Sequence, residues 1–375
     1  MYRTSRRRLL AALGGGVAAL AGCTGPGDPS DGGDDDPPGD EGDGDTESVT
    51  ETAPGGVPTA NERLPLPISP AELREEARSG GPSKDGIPSI DDPSFVDPGE
   101  ADFVASGDPV FGVVRNGVAK AYPQMILAQH EIVNDVLAGD SVAVTYCPLT
   151  GTVQGFERGG TTFGVSGRLI NNNLVMYDRE TEAWWPQMLA TSIPGPWNED
   201  PDIESLREFR LVWTTWERWR DHRPETTILS TDTGSAKNYG RDPYGGYNPK
   251  SGYYGNDSLL FPALDSDDTF DRKTVVMGAR TPEGAAAFLK DSLRSERLMT
   301  GQIADTPVLA VHDDRLDTAY VYRNPEGKAF EQDGSEVVGD GGRYAPDGLP
   351  LERIHTFDAM WFAWAGYYPD TNVYE

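Results

Sequence analysis

The sequence predicts an α+β fold rich in antiparallel sheet, with two pseudo-repeats packed as one globular body. Short apolar runs recur between glycine, proline and asparagine turn signals, and helical periodicity is confined to brief stretches. The later part of the chain also repeats the earlier part. Residues 142–157 (VAVTYCPLTGTVQGFE) align without a gap to residues 308–323 (VLAVHDDRLDTAYVYR). In the same frame Phe111-Gly112-Val113 falls on Met277-Gly278-Ala279, and Ala119-Lys120-Ala121-Tyr122 falls on Ala285-Ala286-Ala287-Phe288. A second ungapped match joins residues 206–219 (LREFRLVWTTWERW) to 351–364 (LERIHTFDAMWFAW). Both copies end in Trp-x-x-Trp followed by Pro-[Asp/Glu]-Thr, at Pro224 and Pro369. The tryptophan pairs are packing anchors rather than a cofactor box.

Each copy opens on a strand, residues 110–114 or 275–279, turns at Asn116-Gly117 or Pro282-Glu283-Gly284, and runs into a second short strand. A helical stretch is expected next: residues 122–137 place Met125, Ile126, Ile132, Val133, Val136 and Leu137 at helix-like spacing. The strand 142–146 follows, broken by Pro148 and Gly151, and a further strand covers 152–156 beyond a tight turn.

The N-terminus has a different composition. Ser5-Arg6-Arg7 precedes an apolar run from Leu9 to Gly22 that is too short to span a bilayer, so it reads as a twin-arginine export signal. The run closes on Leu20-Ala21-Gly22-Cys23, which resembles a lipobox; Cys23 is the expected lipidation site, anchoring the chain to the outer face of the cell membrane. Residues 24–60 carry no lysine or arginine and few apolar side chains, so an acidic, disordered tether is expected. The expected organisation is signal 1–23, tether 24–60, first pseudo-repeat 61–231, Gly/Tyr-rich insert 232–272 and second pseudo-repeat 273–375.

Aspartate and glutamate total 61 against 32 lysines and arginines. The excess extends beyond the tether, and such a surface disfavours nucleic acid and anionic lipid as partners. It resembles the solvating surface of proteins from salt-loving archaea.

Several ordered runs carry a family resemblance: Tyr122-Pro123, residues 130–135 (HEIVND), 145–152 (TYCPLTGT), 163–167 (FGVSG), 173–182 (NLVMYDRETE), 239–247 (YGRDPYGGY) and Leu259–Pro262 (LLFP). From about Ile87 to the C-terminus the chain resembles the bacterial and archaeal family known as domain of unknown function 3179. The resemblance implies an exported or membrane-associated protein and carries no activity with it. Where many members resemble Tyr-Cys-Pro-Leu-Cys-Gly, this chain has Thr150, so a local dithiol is unavailable.

With Cys23 assigned to lipid, Cys147 is left as an unpaired thiol at a strand end. Its possible uses are an inert core thiol, a metal ligand or a nucleophile. In the nucleophile reading His130 is the base and Asn134 an oxyanion donor, with Glu131 or Asp135 orienting the ring. This makes a thiol-dependent enzyme acting on a small extracellular substrate the leading expectation. The alternative is a ligand-binding protein, or a copper or zinc protein held by Cys147 and His130; the other histidines, His222, His312 and His355, show no metal-ligand spacing to Cys147. The sequence names no cofactor. Tyr146, Tyr177, Asp178, Arg179 and Trp185, with Arg241, Asp242 and Tyr244 of the insert, are candidate ligand contacts, because a polar row against aromatic side chains can wall a binding site. The row from Tyr177 to Glu180 equally suits a strand ending in a salt-bridged turn.

Overall fold

The computed structural model describes residues 56–265 and 267–375, and the elements below lie in one compact unit, Thr52–Glu375. The signal, the lipidation site at Cys23 and the tether to residue 55 lie outside the described residues. The end of the expected tether takes part in the fold: Ala60 N donates to Ser205 O at 2.7 Å and Pro58 O accepts from Arg207 N at 3.3 Å.

The first half comprises β1 (Pro109–Arg115), β2 (Val118–Pro123), α1 (Gln124–His130), β3 (Ile132–Leu137), β4 (Asp140–Cys147), β5 (Thr152–Glu157), β6 (Phe163–Ile170), β7 (Asn173–Asp178), β8 (Trp184–Pro186), β9 (Glu208–Phe209), β10 (Val212–Thr215), α2 (Trp216–His222) and β11 (Thr227–Leu229). The second half comprises β12 (Val275–Thr281), β13 (Gly284–Leu289), α3 (Lys290–Glu296), β14 (Leu298–Ile303), β15 (Thr306–Asp313), β16 (Thr318–Arg323), β17 (Phe330–Asp333), β18 (Glu336–Gly339), β19 (Gly342–Tyr344), β20 (Arg353–Ile354), β21 (Thr356–Met360), α4 (Trp361–Tyr367) and β22 (Asn372–Tyr374). The orders β10-β1-β2-β11 and β9-β5-β4-β3 in the first half match β21-β12-β13-β22 and β20-β16-β15-β14 in the second. Even the parallel strand pairing recurs, β2 with β11 and β13 with β22. Each half inserts a further small sheet at the same point, built on β6-β7-β8 or β17-β18-β19.

The α+β expectation is overturned. Strands cover 39% of the described residues and helices 13%, in six largely antiparallel sheets. Helices α1 to α4 have seven residues each, too short to persist without tertiary packing. The single helix expected over 122–137 is the main error. Helix α1 stops at His130, and Ile132–Leu137 pairs with β4 instead, Ile132 opposite Thr145 and Leu137 opposite Asp140. Ile132, Val133 and Val136 are β-branched and favour strand, and the apolar spacing fits either structure. The chain reverses at Glu131, whose φ is 61°. Its N–H donates to Leu127 O at 2.7 Å and its carbonyl accepts from Tyr146 N at 2.8 Å. Arg297 makes the same turn after α3, with φ 72° and bonds to Leu293 O at 2.9 Å and from His312 N at 2.8 Å. A non-glycine residue in this region is strained, so its recurrence marks a demand of the fold.

The shared motifs have a common packing role. Trp219 lies on Gly112 and Trp364 on Gly278, so closely that a Cβ at either glycine would fall within contact of the indole ring. Trp219 Nε1 donates to Thr226 Oγ1 at 2.9 Å and Trp364 Nε1 to Thr371 Oγ1 at 3.0 Å. The second tryptophan, the strand glycine and the threonine of Pro-[Asp/Glu]-Thr thus form one clasp in each half.

The halves meet through buried charge. Arg280 of β12 is paired with Glu208 of β9 by two hydrogen bonds of 2.7 Å, with side chains 0% and 9% exposed, and also donates to Met188 O at 2.9 Å. Burial opposes ionisation of Glu208, yet Arg280 and then His355 hold its carboxyl below the usual range. Arg210 crosses in the other direction, donating to Thr356 O at 2.6 Å and to Thr318 Oγ1 and Ala319 O at 2.7 Å. Removing one partner of a buried ion pair strands the other charge. Glu208→Ala should therefore cost about 3–5 kcal/mol in urea unfolding; a loss below about 1 kcal/mol would deny the pair this role.

Candidate functional site

Cys147 ends β4 inside the apolar core, 1% exposed. Its thiol donates to Asn172 O at 3.4 Å and accepts from Leu174 N at 3.4 Å. Burial pushes the thiol up to about 11, with the nearby Glu131 carboxyl adding to the shift and Thr150 and Leu174 opposing it. Such a shift favours the thiol over the more nucleophilic thiolate at neutral pH.

His130 does not pair with it. The ring is fully buried, Nδ1 lies 2.7 Å from Pro88 O, and Nε2 lies 2.6 Å from Tyr239 Oη. Both nitrogens are thus engaged by other groups, and burial lowers the pKa of the ring. Asn134 is also spent on structure: Nδ2 donates to Asp91 Oδ1 at 2.6 Å and Phe163 O at 2.9 Å, and Oδ1 accepts from Phe163 N at 2.9 Å. Among the described residues no group of three or more His, Cys, Asp or Glu side chains is arranged to hold a metal.

The row after β7 takes the form of the salt-bridged turn. Asp178 is buried and accepts from Thr181 N at 2.6 Å and Trp185 Nε1 at 2.9 Å. Arg179 reaches Asp91 at 3.0 Å and Asp85 at 3.3 Å, and Tyr177 donates its hydroxyl to Asp85. Burial first, then Asp85, pushes the Tyr177 phenol up to about 12. Trp185 is itself buried.

The insert is an ordered cap over the first half. Asp242 accepts from Gln124 Nε2, the first residue of α1, at 2.8 Å, and from Tyr244 N at 2.7 Å. Tyr146 Oη accepts from Gln124 Nε2 at 3.3 Å. Tyr253 Oη donates to Leu149 O at 2.8 Å. Lys273, at the start of the second half, pins the insert through Tyr253 O at 2.6 Å and Ser258 O at 2.7 Å. Tyr244 is half-buried and Arg241 exposed.

A cleft of about 790 Å³ opens between the halves beside this cap. Equivalent positions of the two repeats line it together: Pro109 with Val275, Gly151 with Asp317, Trp213 with Asp358, Thr215 with Met360. The insert adds Tyr247, Asn248, Lys250 and Tyr254, and α3 adds Lys290, Asp291 and Arg294. Trp213 lies 4.9 Å from Tyr247 between ring centroids, and Tyr247 4.0 Å from Tyr254. Lys290 is ion-paired with Asp358, both buried. Arg294 holds Asp317 at 2.7 Å and Asp291 at 2.6 Å.

Sequence reasoning singled out the Gly/Tyr-rich insert that supplies Tyr247 and Tyr254, but not Trp213, Lys290, Arg294 or Asp358. A signal existed, because the repeat alignment sets Trp213 against Asp358, so that an aromatic in one copy replaces a charge in the other.

These features define the class: an antiparallel β-protein of two equivalent halves with an asymmetric aromatic and ionic cleft between them. The chain belongs to the family described as "Protein of unknown function (DUF3179)", whose model matches residues 84–371. No curated protein and no solved structure matches it.

One buried carboxyl, that of Glu131, has no hydrogen bond or ion pair to its side chain among the described residues. The residue is 7% exposed, and its carboxyl is pushed up to about 8 by burial. Its folded pKa thus exceeds the ordinary 4.5, so the stability it contributes is complete below pH 4.5 and is lost as pH rises through about 8. Glu131→Gln cannot ionise. Thermal or urea unfolding should find variant and wild type alike near pH 4 and the variant ahead by a few kcal/mol near pH 8.5; a difference independent of pH would refute the assignment.

Proposed function

We propose that this protein is exported, anchored through lipid on Cys23, and binds a small extracellular molecule in the cleft between its halves. The cleft carries the reading: it joins an aromatic wall to fixed ion pairs at a size suited to a small ligand. Thiol-dependent catalysis at Cys147 lacks comparable support, since the sulfur is buried, which favours the thiol form, and the expected base is bound elsewhere. The acidic surface suits solvation in a salty exterior rather than contact with nucleic acid.

A ligand that binds only the folded state raises its stability by mass action, by about 2.7 kcal/mol at a hundred times its Kd. Scanning fluorimetry of the full chain against sugars, amino acids and dipeptides should therefore yield a stabilising compound. Its effect should vanish in Trp213→Ala; a compound that stabilises both proteins equally would move the site away from the cleft. Anchoring is tested separately by expression in a host with lipoprotein export. Cys23→Ala should shift the protein from the membrane fraction to the soluble fraction, and unchanged membrane association would discount the anchor.

A further inference from the structure

Resting on that binding role, we infer that the cleft takes a neutral, polyhydroxylated ligand of the pyranose class. The argument begins with what fixes the wall. Trp213 meets Phe111 edge-on at 5.1 Å and 82°, and Tyr146 at 5.6 Å and 81°. Tyr247 backs it from the insert, and Tyr254 backs Tyr247. The indole is therefore held in place before any ligand arrives, while remaining only half-buried in the cleft. A rigid aromatic surface of this kind suits the C–H face of a sugar ring, which is apolar and flat enough to stack on it.

The ionic side of the cleft selects in the same direction. Lys290 is neutralised by Asp358, and Arg294 by Asp317 and Asp291; the other charges that line the cleft balance in number, Lys250 and Lys273 against Asp257 and Asp271, with Lys273 held by Tyr253 O and Ser258 O. A charged ligand group would have to compete with these internal partners and would still bear the cost of leaving water. An aliphatic ligand would bury the same ion pairs against carbon and leave their remaining hydrogen-bonding capacity unmet. Hydroxyl groups avoid both costs, because each can donate to a carboxylate lone pair and accept from an ammonium N–H without disturbing the pairing. Lys290 has three N–H donors, and its Nζ donates to Asp358 Oδ1.

The two halves show why the site exists on one side only. In the first half the first residue of the helix, Gln124, is covered by Asp242 and Tyr254 of the insert. Its counterpart in the second half, Lys290, lines the cleft instead. The insert thus occupies one of two equivalent places and leaves the other for a ligand that offers similar groups, a hydrogen-bonding oxygen beside a flat face.

Isothermal titration calorimetry with the full-length, detergent-solubilised protein tests this, using glucose, galactose, N-acetylglucosamine, maltose and cellobiose, with glutamate and lysine as charged probes. At least one saccharide should bind, Trp213→Ala should weaken it by about ten-fold or more, and Trp213→Phe should restore part of the loss. Circular dichroism of each variant verifies that the fold is retained. Trp213-dependent binding of glutamate or lysine, with none of any saccharide, would overturn the pyranose inference and leave the cleft as a binding site. Saccharide binding that ignores Trp213, or no binding by any probe, would overturn both.

Discussion

The pair formed by Arg280 and Glu208 is the contact on which the arrangement of the halves depends. Each half closes its own clasp of tryptophan on glycine, and one apolar cluster runs through both, from Phe156, Val165 and Trp184 to Val276, Phe357 and Trp364. What neither half can do is satisfy the charges it buries at the junction. Arg280 finds its carboxylate only across the interface, and Arg210 finds Thr356, Thr318 and Ala319 there. Buried ions of this kind contribute little net attraction, yet they penalise every arrangement that leaves them unpaired. They therefore set the relative placement of the halves, and with it the shape of the cleft.

Equivalence of the halves explains the scaffold, and their differences explain the site. Glu131 and Arg297 occupy the same strained turn, one with a buried carboxyl and the other with a guanidinium bound to Asp314. Tyr146 corresponds to His312, Gln124 to Lys290 and Trp213 to Asp358. In the first half this gives an aromatic surface, onto which the Gly/Tyr-rich insert packs. In the second half it gives an ionic surface that the insert leaves open. The cleft is where the two surfaces face each other.

Much of the scaffold was legible in the sequence because its signals are local. The Trp-x-x-Trp pairs, the glycines at 112 and 278 and the threonines at 226 and 371 stand at matching places in both copies, and each has one packing role. The stretch 122–137 misled for an equally local reason: Ile132, Val133, Val136 and Leu137 suit a helix face and a strand alike, and nothing at Glu131 announces a positive φ. The expected meeting of His130 with Cys147 failed with it, since that turn ends the helix and the imidazole is taken by Pro88 and Tyr239.

By itself the sequence determined the acidic balance, the family motifs, the absence of a local dithiol at Thr150 and the repeated packing anchors. These depend on which residues are present and how they are spaced. Only the tertiary structure decided that Cys147 is buried in the core, that the row from Tyr177 to Arg179 is a salt-bridged turn, and that Trp213, Tyr247 and Lys290 share a cleft. Those outcomes depend on desolvation and on contacts between residues far apart in the chain, and neither is encoded in spacing along it.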